Sequence, residues 1–244
     1  MSLRRSPDPL LPLSSLRIKT PFFPHSDAPR PRGRRWQFVL AIVLTLVLSL
    51  LWWVGVFGGN VREVDPGRLY RSAQLTGDTL EGTMRYYRIR SVVNLRGAQP
   101  KAEFYRSEMS VSNRLGAEHR DISLSAYTMP PPGELVKVIA AFDQLPRPIL
   151  VHCRGGSDRT GLVATLYEVI CEGRSVDRAE RDQLTWRYGH LAFSRSRAMD
   201  RFFDLYRETS HGQGLRDWIQ TSYPALYARA HPDENASRAD HSGE

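Results

Sequence analysis

The longest uninterrupted apolar stretch of the chain covers residues 38–57 and contains no charged side chain. As a helix it would be about 30 Å long, which is the hydrocarbon thickness of a bilayer. Trp36 before it and Trp52 and Trp53 near its end suit the membrane interface. A soluble core helix normally keeps a polar stripe, and a cleaved signal peptide has a shorter apolar region followed by a small-residue cleavage site. The pattern therefore favours an uncleaved transmembrane anchor over residues 36–58.

Beyond the anchor, strand-like and helix-like patterns alternate. Short β-branched runs such as Ser91–Leu95 and Pro148–His152 indicate buried strands. Residues 160–172 place apolar side chains at helical spacing and stop before Gly173. Similar patterns predict strands over 68–71 and 118–124, helices over 76–87, 102–115 and 134–144, and two or three helices before Tyr223. The alternation predicts an α/β fold, with a mostly parallel central sheet flanked by helices and preceded by one transmembrane helix.

The domain organisation follows from composition. Seven of the 16 prolines lie in the first 31 residues, so residues 1–35 are predicted to be a disordered basic tail. Residues 225–244 are polar and are predicted to be a second disordered tail. A length of 244 residues leaves room for the anchor and one catalytic-size domain, residues 60–224.

The net charge of +8 is concentrated in the N-terminal tail. Residues 1–35 hold eight basic and two acidic residues, a net +6, so the other 209 residues carry only +2. The folded part has no overall need of a polyanion, and we expect no nucleic-acid partner. The chain has two cysteines, which excludes a disulfide framework and a multi-cysteine metal site.

The charges beside the apolar stretch predict its orientation. Four arginines, at positions 30, 32, 34 and 35, precede it closely, whereas only Arg62 and Arg68 follow closely. The positive-inside rule then predicts a cytoplasmic N-terminus and a domain on the other side of the membrane, which in a bacterium is the periplasm or the exterior.

The segment Ile149–Gly161, ILVHCRGGSDRTG, carries the candidate chemistry. A loop between a buried strand and a helix N-terminus, with Gly155 and Gly156 allowing a tight curl, directs amides and the helix dipole to one point. Such a cradle suits a tetrahedral oxyanion, which Arg159 can grip with two donors. The same environment favours a nucleophilic thiolate at Cys153. Each residue alone has an ordinary structural role, but the combination at this spacing favours a reactive site.

The neighbours of the cysteine have predicted supporting roles. The loop residues Arg154, Ser157 and Asp158 join the two glycines and Arg159 as candidate phosphate-binding groups. Thr160 is placed so that its hydroxyl can donate to the sulfur. His152 is expected to bond loop carbonyls rather than act as a base, because a thiolate needs none. The other cysteine, Cys171, is expected to pack in the core.

The arrangement His152-Cys153, five residues, Arg159-Thr160 resembles the signature of the cysteine-dependent tyrosine and dual-specificity phosphatases. The stretches 69–74, 92–96 and 187–190 resemble the bacterial dual-specificity-like branch, so the resemblance covers about residues 60–210. It implies attack of Cys153 on phosphorus, a cysteinyl-phosphate intermediate, phosphoryl binding by Arg159 and the loop amides, and an aspartic acid that protonates the leaving oxygen. It implies neither a metal nor an organic cofactor.

The family's acid usually lies about thirty residues before the cysteine, on a loop. Asp121 is 32 residues before Cys153, but the predicted strand 118–124 contains it, and the following segment 125–132 has no carboxylate. Asp158 is the rival, since some lipid-directed relatives carry an aspartate there; its alternative role is to orient Arg159 or cap the helix. Asp121 is favoured narrowly, and Glu134 ranks third.

These observations predict a membrane-anchored phosphomonoester hydrolase. Its substrate partner is a phosphorylated protein or a phospholipid, including phosphoinositides, with Arg154 weakly favouring a highly charged one. Sulfur transfer also uses a cysteine in an amide-lined loop, but such loops are typically one residue shorter. A non-catalytic phosphate-binding module is the third hypothesis, motivated by the missing carboxylate in segment 125–132.

Overall fold

The computed structural model describes residues 34–57, 59–193 and 195–232. The predicted tails over residues 1–33 and 233–244 lie outside this range. The elements in chain order are α1 (Arg34–Phe57), β1 (Arg62–Asp65), β2 (Leu69–Ser72), α2 (Gly77–Tyr87), β3 (Ser91–Asn94), α3 (Glu103–Arg114), β4 (Glu118–Asp121), α4 (Pro132–Gln144), β5 (Ile149–His152), α5 (Asp158–Ile170), α6 (Val176–Gln183), α7 (Ala198–Thr209), α8 (Leu215–Thr221) and α9 (Tyr223–Ala230).

The five strands form one sheet in the order β1-β2-β5-β3-β4. All pairings are parallel except β1 with β2, which confirms the mostly parallel sheet. In register, Ser72 and Asn94 both pair with His152, and Asn94 pairs with Asp121 on its other side. The carboxyl ends of the four parallel strands therefore meet at one edge, where α/β proteins usually hold their sites.

Helices cover both faces of the sheet, as predicted. The larger core joins α4, α5 and α7 to α9 with strand residues such as Val93 and Val151. The smaller core packs α2 and α3 against the opposite strand residues, including Val92 and Leu150. Because alternate strand residues point to opposite faces, Ile149 and Val151 of β5 enter the larger core and Leu150 enters the smaller one.

Helix α1 contains the predicted anchor. Its window Trp36–Trp53 has a mean hydropathy of 2.0 and none of it is buried, so this one helix of the described chain is long and apolar enough to cross a membrane. The chain divides into two compact units, Met1–Leu44 and Thr45–Glu244. The described part of the first unit is helical, and the second contains the α/β fold.

The structure corrects the sequence prediction at both ends of the domain. Strand β1 was missed because its sequence, REVD, is mostly charged, as an edge strand permits. The predicted tail 225–244 is wrong for its first part, since α9 continues to Ala230. Tyr223 and Tyr227 of α9 are buried, and the Tyr223 ring centroid lies 5.2 Å from that of Phe202 on α7 and 5.0 Å from that of Trp218 on α8, so these aromatic contacts hold the helix to the core.

Two smaller expectations also differ from the structure. Strand β4 ends at Asp121 instead of residue 124, because its partner β3 ends at Asn94 and only an isolated bridge, Arg96 to Ser123, continues the pairing. Cys171 was expected in the core, but it is exposed at the C-terminal end of α5, where that helix leaves the core.

Candidate active site

The segment from Cys153 to Arg159 starts directly after β5, at the carboxyl edge of the sheet, and ends in the first turn of α5. Gly156 has φ +69°, and a Cβ there would lie 2.7 Å from the backbone of Ser72 and Ala73. Only glycine fits both this conformation and this close approach. The loop therefore curls tightly against the end of β2, and Asp158 begins helix α5.

The Cys153 sulfur lies inside the curl of the loop. The residue is 3% exposed, and the amide of Gly156 donates to Sγ at 3.2 Å. In the part of the chain that the structure describes, the amides of Arg154, Gly155, Ser157 and Asp158 make no hydrogen bond to a protein acceptor. Free amides around a sulfur at a helix N-terminus form an anion cradle.

Within the described part of the chain, the guanidinium of Arg159 is hydrogen-bonded to the protein on one side only. Its Nη1 lies 3.2 Å from the Leu124 carbonyl oxygen and 3.5 Å from that of Leu95, and donates to both. Its Nε is buried and has no hydrogen-bond partner among the described residues, and none of them bonds Nη2. One end of the side chain is thus anchored, while the Nε–Nη2 edge keeps the two parallel donors that bind an oxyanion.

Arg71 supports the loop from behind. The side chain is fully buried, and its Nη2 donates to the carbonyl of Gly156 at 2.7 Å. Its Nη1 donates to the Gln183 carbonyl and side-chain oxygens at 2.9 and 2.7 Å, and the guanidinium lies 4.1 Å from the Tyr188 ring centroid. Complete burial lowers the pKa of Arg71 to about 10, so it remains a cation at neutral pH.

Asn60, at the start of the domain, and the Tyr188 carbonyl form a second support for the loop. The Asn60 amide nitrogen donates to the carbonyls of Gly155 and Gly156 at 3.2 Å and to that of Tyr188 at 3.0 Å. The Ser157 hydroxyl donates to the same Tyr188 carbonyl at 2.7 Å. With the loop carbonyls held outward by these donors, the loop amides are left to face the sulfur.

Of the two hydrogen bonds predicted for the neighbours of Cys153, the structure contains that of His152 but not that of Thr160. His152 Nδ1 lies 3.3 Å from the Cys153 carbonyl oxygen, as expected of a residue that bonds loop carbonyls. The Thr160 hydroxyl is buried without a hydrogen-bond partner in the described chain, so the expected bond to Sγ is not formed. The sulfur instead accepts the Gly156 amide, because the loop brings that amide closer.

Glu108 of α3 connects three polar side chains beneath the loop. Its carboxylate lies 3.0 Å from His152 Nε2 and 2.8 Å from His119 Nε2, and accepts from Gln74 at 2.6 Å. Burial raises the pKa of this carboxyl, but hydrogen bonds from His119 and His152 outweigh burial and hold the pKa well below its usual range. A buried carboxylate thus orients His152.

Asp121 is bonded through both carboxylate oxygens. Asn94 donates to Oδ1 at 2.8 Å and the Tyr105 hydroxyl donates to Oδ2 at 2.5 Å. Burial and the bond to Asp121 raise the pKa of Tyr105 to about 12, so this hydroxyl keeps its proton. In register Asp121 lies two strands from His152, roughly 10 Å at ordinary strand spacing.

Asp158 is bonded through one oxygen. Its Oδ1 lies 2.8 Å from Nδ1 of the buried His190, whose Nε2 lies 3.2 Å from both carboxylate oxygens of Asp200. Burial opposes the charged imidazole, but the bonds to Asp158 and Asp200 outweigh burial and raise the pKa of His190 to about 9. No hydrogen bond from the described residues reaches Asp158 Oδ2.

The remaining candidates occupy the rim. Arg154 is exposed, and Gly155 has neither a positive φ nor a close backbone neighbour. Glu134 accepts from the Ser123 amide at 2.7 Å and from Lys137 at 2.7 Å, so its carboxylate is already bonded. Within the described ranges, no group of three or more His, Cys, Asp or Glu side chains is placed to hold a metal ion.

Four supporting residues of the site were not predicted from the sequence: Asn60, Arg71, Glu108 and His190. Arg71 and His190 lie in the stretches 69–74 and 187–190, so the resemblance marked their neighbourhoods without their roles. Asn60 and Glu108 gave no local signal, because each contacts the site from far along the chain.

Comparison with known proteins finds similarity to one family over part of the chain. The model of the tyrosine phosphatase family matches residues 55–173. No curated protein matches the chain. TpbA from P. aeruginosa is 19% identical with a TM-score of 0.48, over 60% of this chain and 84% of that chain. The core catalytic domain of the PP-IP phosphatase SIW14 from S. cerevisiae is 18% identical with a TM-score of 0.48, over 64% of this chain and 94% of that chain.

Proposed function

We propose that this chain, whose residues 55–173 match the model of the tyrosine phosphatase family, is a membrane-anchored phosphomonoester hydrolase that acts through a cysteinyl-phosphate intermediate. That match supports a cysteine-dependent phosphatase, and the roles of individual residues are our assignment. One observation carries that assignment: free loop amides and the free Nε–Nη2 edge of Arg159 accompany the sulfur of Cys153 in one loop.

In the proposed first step, Sγ of Cys153 attacks phosphorus while the bond from phosphorus to the leaving oxygen breaks. The leaving oxygen takes a proton from a carboxyl group, and the substrate departs as an alcohol or phenol. In the second step, a water oxygen attacks phosphorus, its proton returns to the carboxylate, and the S–P bond breaks to give phosphate and the thiolate. Arg159 and the loop amides stabilise the phosphoryl oxygens in both steps.

We assign the proton donor to Asp158. It lies in the loop itself, and its Oδ2 has no bond to the described residues, whereas both oxygens of Asp121 are engaged. His190 lies 2.8 Å from the other oxygen of Asp158 and so fixes the carboxyl group in the loop, with Oδ2 left to meet the leaving oxygen. The narrow preference for Asp121 from the sequence stays a prediction that the same experiment tests.

Leaving-group dependence separates the two carboxylates. Asp158→Asn should lower kcat/KM about 10²- to 10⁴-fold for phenyl phosphate, whose leaving group needs a proton, and less for p-nitrophenyl phosphate. Asp121→Asn is the matched control, and thermal melting checks that both variants fold. If Asp121→Asn shows this dependence and Asp158→Asn does not, our assignment of the donor is wrong.

Replacement of the nucleophile tests the function itself. Cys153→Ser should abolish turnover of aryl phosphates, and mass spectrometry of the wild-type chain quenched during turnover should detect phosphate on Cys153. Slow hydrolysis that survives Cys153→Ser would favour the phosphate-binding module instead. Transfer of sulfur from thiosulfate to cyanide would favour sulfur transfer, which the five residues between Cys153 and Arg159 argue against.

The anchor is the second part of the proposal. The unburied apolar window Trp36–Trp53 supports membrane insertion, and the arginines before it support a cytoplasmic N-terminus. We expect the full chain to fractionate with membranes and to resist extraction by carbonate. A reporter fused after Glu244 should be active outside the cytoplasm; cytoplasmic activity would reverse the orientation.

We propose a phosphorylated protein or a phospholipid as the natural substrate. A panel that compares phosphotyrosine and phosphoserine peptides with phosphoinositides, on the full chain in detergent micelles, distinguishes them by kcat/KM.

A further inference from the structure

Four arginines near the loop have no carboxylate partner among the described residues: Arg71, Arg96, Arg154 and Arg159. Arg71 holds the Gly156 carbonyl, and Arg159 is assigned to the phosphoryl group that reacts. The reaction proposed above leaves Arg96 without a role and gives Arg154 only a place on the rim. Two further unpaired cations beside an anion site require an explanation.

Arg96 is held in one place. Its guanidinium lies 3.7 Å from the ring centroid of Phe104, and its Nη1 donates to the Gln74 side-chain oxygen at 3.2 Å. Its own amide donates to Asn94 at 2.9 Å. A stacked and bonded guanidinium has lost its rotamer freedom already, so binding an anion costs less entropy than it would on a free surface arginine.

Gln74 connects Arg96 to the phosphate loop. Its side-chain oxygen accepts from Arg96, and its Nε2 donates to Glu108 at 2.6 Å. Its backbone amide donates to the Arg154 carbonyl at 3.2 Å. The residue before Arg96, Leu95, presents its carbonyl to Arg159 at 3.5 Å. Arg96 is therefore fixed relative to Arg154 through Gln74 and relative to Arg159 through the Leu95 carbonyl.

The charges of these three arginines act on one another. Partial burial lowers the pKa of Arg96, and repulsion by Arg159 and then by Arg154 lowers it further. Like charges held together without carboxylates create a positive field that attracts anions and gains from their binding. One phosphoryl group on the Nε–Nη2 edge of Arg159 leaves Arg96 and Arg154 available for a second anionic group.

We propose that Arg96 and Arg154 form a second phosphate subsite beside the catalytic loop, so that the preferred substrate carries two phosphate groups on one molecule. This inference rests on the proposed function and specifies its substrate class.

The test compares bisphosphate with monophosphate substrates of the same skeleton. For the full chain in detergent micelles, kcat/KM for inositol 1,4-bisphosphate should exceed that for inositol 1-phosphate. Arg96→Gln should reduce this ratio about 10- to 100-fold, the effect of losing a charge-assisted hydrogen bond to phosphate. The matched control Arg90→Gln changes the same charge at the opposite end of β3, where Arg90 is exposed, and should leave the ratio unchanged.

A second pair distinguishes the sources of such a substrate. Dioctanoyl phosphatidylinositol 4,5-bisphosphate and 4-phosphate should show the same fall in ratio if the second phosphate alone is recognised. A fall confined to the lipid pair would assign the subsite to a lipid headgroup. A ratio that Arg96→Gln leaves unchanged in both pairs would overturn the second subsite.

Binding keeps this test separate from the proposed function. Calorimetric titration of inositol 1,4-bisphosphate and of inositol 1-phosphate into the Cys153→Ser chain measures the binding preference for the bisphosphate without turnover. If the preference is present there and falls with Arg96→Gln while the wild-type chain hydrolyses nothing, the subsite stands and the hydrolase proposal fails. If the wild-type chain hydrolyses both compounds with equal kcat/KM and the titration shows no preference, the hydrolase stands and the subsite fails.

Discussion

The Nη2 of Arg71 donates to the carbonyl oxygen of Gly156 at 2.7 Å, so a buried cation on β2 holds the centre of the catalytic loop. Three of its bonds are made by one planar group that also stacks on Tyr188. This contact fixes which way the loop carbonyls point, and through them the direction of the amides that face Cys153.

Arg71→Lys should therefore weaken both stability and activity. A lysine ammonium cannot reach Gly156 and Gln183 together, so we expect a loss of about 2–4 kcal/mol in the free energy of unfolding and a fall in kcat/KM of at least tenfold. Urea unfolding and aryl phosphate turnover measure the two effects. The control Arg85→Lys alters a surface ion pair with Glu81 and should cost below about 0.5 kcal/mol. Equal effects of the two variants would contradict this role of Arg71.

The two glycines of the loop offer a matched pair. In Gly156→Ala the added Cβ would lie 2.7 Å from backbone atoms of Ser72 and Ala73 at φ +69°, so the loop cannot keep its curl and turnover should fall at least 100-fold. In Gly155→Ala the Cβ meets only the Ser157 hydroxyl at 3.5 Å, and the loss should be much smaller. Steady-state kinetics on p-nitrophenyl phosphate measures both. A larger loss at Gly155 would show that the close approach at Gly156 does not govern the site.

From the raised pKa of His190 we expect the stability of the fold to depend on pH on the alkaline side. Its pKa is about 9 in the folded chain, above the ordinary value near 6.5, so its charge stabilises the fold fully below about pH 6.5. That contribution is lost as pH rises toward and through 9. The free energy of unfolding in urea should fall between pH 7 and 9.5, and His190→Gln should flatten this slope. A slope that the variant leaves intact would mean that other groups cause it.

From the lowered pKa of Glu108 we expect the stability of the fold to fall on the acid side. Bonds from His119 and His152 outweigh burial and hold its pKa below 4.5, so its carboxylate stabilises the fold above about pH 4.5 and loses this contribution as pH falls further. Glu108→Gln replaces one acceptor oxygen with a donor and should cost about 1–3 kcal/mol at pH 7. Urea unfolding at pH 7 and at pH 4 measures the difference. The exposed Glu118→Gln is the control, and a similar cost there would contradict the buried network.

Most elements of the fold were predictable because their signals are local. The β-branched run of β5 and the helical spacing of α5 identified the strand and helix that carry the loop, and both are confirmed within two residues. Strand β1 escaped prediction because an exposed edge strand needs no apolar residues. Helix α9 escaped because its order depends on the packing of Tyr223 against Phe202 and Trp218, contacts with other helices that only the assembled core provides.

The features of the site also separate into those set by neighbouring residues and those set by tertiary contacts. The order of residues from His152 to Thr160 by itself determined the candidate nucleophile, the glycine turn and the candidate phosphate-binding arginine, since all lie within one strand–loop–helix unit whose geometry is set by neighbouring residues. Tertiary structure decided what surrounds that unit: the donors of Asn60 and Arg71, the carboxylates that bond His152 and His190, and which oxygens of Asp121 and Asp158 are already engaged. Those contacts join residues up to 128 positions apart, and a hydrogen bond leaves no mark in a sequence until folding brings its donor and acceptor together.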